Sequence, residues 1–233
     1  ANDDGTYSVS GEAAISLGIV LHPDWYPNDE PWRRAIDWIR QAEQMFRNSG
    51  VRVRFIIEHI EVQDLPDTKE SAYYAVDTLE AKGADMTVVL MPHFTFDPYC
   101  GIASVGRKDY YGGSIRSVSG CSTKTLAHEL GHNFGLRHAH DGGSDGRKGY
   151  CFRPDAAAKD CYAGTLMSYS GLGRVPLFAN KDFELDNQPL GTEAHDAVTW
   201  LNAVAAGRGL AWELDQRRDG NDTPELPVEY CVE

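Results

Sequence analysis

The chain has 233 residues, 42% of them hydrophobic and 10% aromatic, which suffices for a substantial core in one large domain or two subdomains sharing a cleft. No run of about 18 apolar residues occurs, so no membrane span is expected. The formal charge of -13 is spread along the chain, which argues against nucleic acid as a partner because phosphate neutralisation needs clustered Lys and Arg.

In chain order, 13-AAISLGIVLH-22 reads as a strand. The segment 31-PWRRAIDWIRQAEQMFRNSG-50 reads as an amphipathic helix opened by Pro31, carrying Ile36, Ile39 and Phe46 at helical spacing and stopped by Gly50. In 51-VRVRFIIEHIEV-62 the residues Val51, Val53, Phe55 and Ile57 alternate against Arg52 and Arg54, a period of two that predicts one buried and one wetter face. A second helix is expected over 68–83 with a glycine stop, then a buried strand over 84–93, giving the order β-α-β-α-β. Short glycine-punctuated strands follow at 101-GIASVG-106 and 113-GSIRSVS-119, and then a helix from about Thr123 to Phe134. Residues 140–233 are rich in Gly, Asp and Pro, show few strand signals, and carry one helix at 192-TEAHDAVTWLNAVAAG-207. The expected fold is α/β (α+β): an N-terminal α/β subdomain, 1–138, and an irregular C-terminal subdomain, 139–233, together one catalytic domain. No internal repeat is evident.

Chemistry concentrates in 127-AHELGHNFGLRHAH-140. His128 and His132 are four residues apart, so their rings lie one turn apart on one helical face, while Leu126 and Leu130 point away towards the core. Gly131 allows close approach of another backbone, and Gly135 permits a positive φ that turns the chain and returns His138 to the ion. Three neutral imidazoles leave a fourth position for water, the arrangement of a catalytic zinc site. Glu129 stands beside the ion without being a ligand and can take the proton of an attacking water. A lone H-x-x-x-H pair is more often two surface or core histidines; five fixed positions on an independently read helix with a glycine stop are not.

The stretch 128-HELGHNFGLRH-138 resembles the zinc-binding consensus of the metzincin metallopeptidases. The resemblance implies a twisted mixed sheet, an active-site cleft between two subdomains, and a tight turn with a methionine beneath the metal, for which 165-TLMSYS-170 supplies Met167. Tyr169 matches the tyrosine that reaches the metal in astacins and serralysins; a merely packed or hydrogen-bonded tyrosine is the other reading. The stretches 100-CGIASVG-106, 174-RVPLFAN-180 and 189-PLGTEAHDAVTWLN-202 resemble adamalysin/reprolysin-like secreted bacterial peptidases, although Ala139 stands where adamalysins usually have Asp. The subfamily stays open.

By that resemblance an extended substrate pairs with the edge strand 101-GIASV-105, engaging Gly101, Ile102 and Ala103. The wall of the pocket beyond the scissile bond is 171-GLGRVPLF-178, where Arg174 is either structural or a partner for an acidic side chain, as in bacterial peptidases that cleave before Asp. In 141-DGGSDGRKG-149 the residues Asp141 and Asp145 invite a calcium reading, but the D-x-D-x-D-G spacing is missing and a solvated turn is favoured. His140 competes with His138 as third ligand; the spacing after Gly135 favours His138. His22, His59, His93 and His195 receive no role.

Cys100, Cys121, Cys151, Cys161 and Cys231 contain no C-x-x-C pair and suit an oxidising, extracellular compartment, with Cys151–Cys161 the simplest bridge. The start at Ala1, without initiator Met or signal peptide, suggests a mature or trimmed form. The leading expectation is a secreted, monomeric zinc endopeptidase, held latent during export by an N-terminal pro-segment. The rivals are a zinc-stabilised binding domain without catalysis and a zinc hydrolase of non-peptide amides.

Overall fold

The structure, a computed structural model, describes residues 13–25, 30–66, 68, 75, 84–92, 100–106, 114–118, 122–141, 146–154, 161–168, 170–205 and 230–232. The N-terminal half is built on strands β1 (Ala13–Leu21), β2 (Val53–Val62), β3 (Met86–Met91), β4 (Gly101–Ser104) and β5 (Ser114–Val118), with helices α1 (Pro31–Asn48) and α2 (Thr123–Asn133). The C-terminal half adds β6 (Cys151–Pro154), β7 (Cys161–Gly164), β8 (Ser170–Arg174), β9 (Asn180–Leu185), β10 (Gln188–Leu190), helix α3 (Ala197–Ala203) and β11 (Tyr230–Val232). Six strands form one mixed sheet in the order β11-β4-β5-β3-β1-β2. β2, β1, β3 and β5 run parallel, and β4 and β11 are each antiparallel to their neighbours.

Hydrophobic pattern explains the placement of the strands. β3, MTVVLM, is buried along its whole length, as a central parallel strand covered on both faces must be. β2 alternates from buried Val53 and Phe55 to exposed Arg54 and Ile56, as its period of two predicts. α1 starts at Pro31 and buries Ala35, Trp38, Ile39, Ala42 and Phe46; Ile36 is only half-buried, so the core stripe lies slightly round the helix from the expected one. Gly50, at φ +93°, turns the chain into β2.

Phe46 is the hinge of the packing. Its ring lies 5.4 Å from Phe55, 5.6 Å from Phe134 and 4.5 Å from Phe178, so one side chain joins sheet, α2 and the C-terminal half. Burying a phenylalanine fully is worth about 1.5–3 kcal/mol. The polar seam is equally specific. Ser49 Oγ accepts from Phe178 N at 2.8 Å, Asn180 Nδ2 donates to Ser49 O at 2.9 Å, and Arg52 N donates to Asn202 Oδ1 at 2.9 Å.

Four expectations need correction or limits. The second helix falls almost wholly outside the described residues, in which Ala75 alone is helical. The C-terminal half is less irregular than its composition suggests, with a three-stranded sheet β6-β7-β8 and a β9-β10 hairpin turning at Asp186 and Asn187, φ 51° and 60°. These strands are short and β9 is largely exposed, so they carry no apolar alternation to read. The expected helix over 192–207 begins only at Ala197, because the Asp196 carboxylate caps it, accepting from Thr199 N at 3.3 Å and Thr199 Oγ1 at 2.7 Å. Finally, 101–105 is not an edge strand: β11 pairs along the outer side of β4. Among the described residues no helix is long and apolar enough to cross a membrane.

Candidate metal centre

α2 carries the centre and is held from every side. Leu126, Ala127 and Leu130 are buried, and so are His128, Glu129 and His132 on the other face, so both faces of the helix are enclosed. Gly131 is flat because side chains press on it: a Cβ there would stand 2.8 Å from Met167 Sδ and 2.9 Å from Phe178 Cε1. The close neighbours are therefore side chains, not the backbone that the glycine suggested. After Phe134 the chain turns at Gly135, φ +92°, with Gly135 N donating to His132 O at 2.7 Å.

That turn brings His138 back to the helix. The Nε2 atoms of His128, His132 and His138 lie 2.9, 3.1 and 3.2 Å from one another. Two nitrogens bound to one zinc at about 2.0–2.1 Å and a tetrahedral angle are about 3.3–3.4 Å apart, so the trio fits zinc to within a few tenths of an ångström. Each ring is oriented by its other nitrogen. His128 Nδ1 lies 2.6 Å from Leu166 O and His132 Nδ1 2.8 Å from Leu136 O. A carbonyl only accepts, so both Nδ1 atoms carry the proton and both Nε2 lone pairs face inward.

The third ring is set by a carboxylate. Asp141 Oδ2 accepts from His138 N at 2.8 Å and lies 3.4 Å from His138 Nδ1. Burial alone would raise the Asp141 carboxyl, but the hydrogen bonds from His138 prevail and carry it down to about 2. Asp141 thus takes up the third histidine although Ala139 holds the position next to it. This role was missed in the sequence, where Asp141 was read beside Asp145 as a calcium candidate; Asp145 lies outside the described residues. His140 is exposed and its ring stacks 5.9 Å from that of His138, outside the trio.

Burial pushes His128 well below the ordinary histidine range, helped by His132, Arg174 and His138, and it brings His132 down to about 3, helped by His138. The lone pairs of His128 and His132 are therefore free at neutral pH. Burial pushes Glu129 the other way, well above the ordinary carboxylate range, with Arg174 opposing. Glu129 is fully buried and neither of its oxygens has a hydrogen-bond partner among the described residues. Gly101 makes room for it, since a Cβ there would stand 2.7 Å from Glu129 Oε1.

Met167 packs against Gly131 of the ligand helix, fully buried in a turn where Ser168 N donates to Thr165 O at 2.9 Å. The turn offers two carbonyls to the site: Leu166 O to His128, and Met167 O to Ala139 N at 3.0 Å. Leu166 and Leu136 act through main-chain oxygens, which side-chain chemistry in the sequence does not reveal. Tyr169 lies outside the described residues. Arg174, at the end of β8, brings Nη1 to 3.3 Å from His128 Nδ1; since that nitrogen already donates to Leu166, this is a cation packed against the ligand ring. Ile102 and Ala103 are buried in β4.

Residues 25–183 match the family described as metallo-peptidase family M12 (Reprolysin_5). A Pseudomonas aeruginosa protein described as a peptidyl-Asp metalloendopeptidase is 28% identical over 214 residues, covering 74% of this chain and 35% of the relative. Among solved structures, a chain in a chaperone–substrate complex superposes with a TM-score of 0.68 at 20% identity, over 85% of this chain and 35% of that one. Metalloproteinase-II from Bacteroides fragilis gives 0.41 at 17% identity, over 76% and 51%. The chain thus spans about a third of the length of the first two proteins. With the family match covering most of its length and the three-histidine centre inside that match, the chain belongs to metallo-peptidase family M12.

Proposed function

We propose that this chain is the catalytic domain of a secreted zinc endopeptidase, with residues 1–138 and 139–233 as the two walls of its cleft. The observation that carries the reading is the convergence of three Nε2 atoms, 2.9–3.2 Å apart, beside the buried carboxylate of Glu129. His128, His132 and His138 are the ligands. Zinc held there supplies a Lewis acid for the scissile carbonyl and lowers the pKa of a water towards about 7. Glu129 accepts the proton of the attacking water and delivers it to the leaving amine. With no hydrogen bond among the described residues, both oxygens are available for that transfer, and a cation nearby favours the ionised form that burial disfavours. Met167 supports the ligand helix from below, and Tyr169 assists at the oxyanion.

For specificity, Arg174 favours an acidic residue just beyond the scissile bond. Its guanidinium lies beside the His128 ring, and the described activity of the P. aeruginosa relative is directed at Asp. Secretion is supported by the five cysteines, which form no C-x-x-C pair and suit an oxidising compartment. Cys161 sits opposite Pro154 in the strand beside Cys151, and its side chain lies outside the described residues. A monomer with an N-terminal pro-segment completes the reading.

The test is cleavage of an unfolded protein by purified enzyme, with and without a zinc chelator and with Glu129→Ala, mapping cuts by mass spectrometry. The expected result is chelator-sensitive cuts before Asp or Glu that vanish in the variant. Cuts without acidic preference remove the role of Arg174 alone. One equivalent of bound zinc with no cut peptide removes the peptidase reading and leaves a zinc-stabilised binding domain.

A further inference from the structure

Among the described residues, the outer side of β4 is a place where an extended peptide could join the sheet next to Glu129, and a segment of the chain already lies there. β11 runs antiparallel to β4 with Tyr230 opposite Ser104, Cys231 opposite Ala103 and Val232 opposite Ile102. β4 in turn lies along the ligand helix. Only glycine fits beside the Glu129 carboxylate at 101, where a Cβ would stand 2.7 Å from Oε1, and Gly106, just past the strand, donates from N to His132 O at 2.8 Å. The inner side of β4 is taken by β5. Each outward-facing N–H and C=O of a strand serves one partner, so β11 and a substrate strand cannot both pair with Ile102–Ser104.

We propose that Tyr230–Val232 is a built-in competitor for the substrate, which closes the peptide-binding edge when docked on β4 and opens it when released. The inference rests on the peptidase reading. A ladder of three residue pairs is short enough to exchange: it offers about two to four hydrogen bonds, fewer than a longer bound peptide would make. In sequence, 226-LPVEYCVE-233 flanks these residues with Glu229 and Glu233, the residue type that the site is proposed to prefer.

Two measurements on the zinc-loaded protein test this. In steady-state cleavage of a fluorogenic peptide, removal of residues 230–233 is expected to lower KM by about tenfold with kcat unchanged, the signature of a lost intramolecular competitor. In anisotropy titrations, a fluorescein-labelled peptide of sequence 226–233, with serine in place of the cysteine, is expected to bind the shortened chain at least about tenfold more tightly than the full chain. Unlabelled, it should compete with substrate. Equal KM for both forms, or equal peptide affinity, overturns the proposal. If the shortened chain does not retain one zinc, Val232→Pro and Cys231→Pro in the full chain decide, because proline removes a ladder donor at one position or the other. Neither lowering KM nor admitting the labelled peptide would refute strand competition. Peptide binding confined to the shortened chain, with no cleavage by either form, would leave the competitor standing and remove the peptidase reading instead.

Discussion

Gly131→Ala sets two physical effects against each other with opposite signs. In a helix interior glycine is about 0.8–1.0 kcal/mol worse than alanine, so propensity alone predicts a more stable protein. The new Cβ, however, would stand 2.8 Å from Met167 Sδ, 2.9 Å from Phe178 Cε1 and 3.3 Å from Leu136 Cδ1, where comfortable contact needs about 3.5–4.0 Å. Met167 and Phe178 are both fully buried, and Phe178 is backed by Phe46 at 4.5 Å, so retreat is blocked. Overpacking of this kind costs about 1–3 kcal/mol, leaving a net loss of about 1 kcal/mol. For a chain of this size that is a fall in Tm of about 2–4 °C, against a rise of similar size from propensity alone.

The displacement also has a direction. Met167 belongs to the turn whose carbonyls hold the His128 ring and the main chain of Ala139, next to His138, so pushing it away loosens one ligand directly and a second through its neighbour, and zinc affinity should fall by about tenfold or more. Calorimetry of the zinc-free and zinc-loaded forms, with a competitive zinc titration, reads both effects. A raised Tm with unchanged zinc affinity would refute the packing argument.

Glu129→Gln should keep one equivalent of zinc by elemental analysis while cleavage falls about 10²–10⁴-fold, since an amide cannot accept the proton. Asp141→Asn removes the charge that orients His138 and should weaken zinc by about 10–100-fold in a chelator competition; unchanged affinity would mean that the main-chain contact alone suffices. Gly101→Ala puts a methyl group against the Glu129 carboxylate and should lower kcat at least about tenfold with zinc retained. The zinc-free protein should lose stability on acidification between pH 6.5 and 4.5. There His128 and His132, held low when folded, bind protons only on unfolding, whereas Glu129, held high, binds one only when folded. His195, also held low by burial, adds to the histidine side, so the histidines outnumber the carboxyl; urea melts should show stability falling as pH falls, and a flat profile would contradict these shifts.

Much of the centre was legible because the helix repeats every 3.6 residues and metal ligation needs side chains. His128, His132, Gly135 and His138 state their roles in their spacing, and Met167 follows from the resemblance that the spacing supports. Orientation was not legible. Leu136 and Leu166 serve through carbonyl oxygens, which every residue has, and Asp141 was indistinguishable from a loop aspartate until its carboxylate met His138. In the fold, strands buried on both faces, such as β3, were evident, whereas β9, exposed along most of its length, carried no apolar signal. β11 was hidden for another reason: pairing of Cys231 with Ala103 joins residues more than a hundred positions apart, and no local pattern encodes that.

The centre departs from what stability alone would select. Three imidazole acceptors face each other at 2.9–3.2 Å, and a carboxylate with no hydrogen bond among the described residues is sealed beside them. An apolar core would answer such burial with hydrophobic side chains, and a structural polar network would answer it with donors. Here the donors point the other way: both helix histidines spend their N–H on main-chain carbonyls and the third histidine is anchored to Asp141, so the three Nε2 atoms face the same point. Only a cation satisfies all of them at once. The rigid packing of Met167, Phe178 and Phe46 beneath α2 keeps the acceptors from relaxing apart. Packing and chemistry are therefore one design, in which the close approach that Gly131 permits holds the ligands in the geometry that zinc requires.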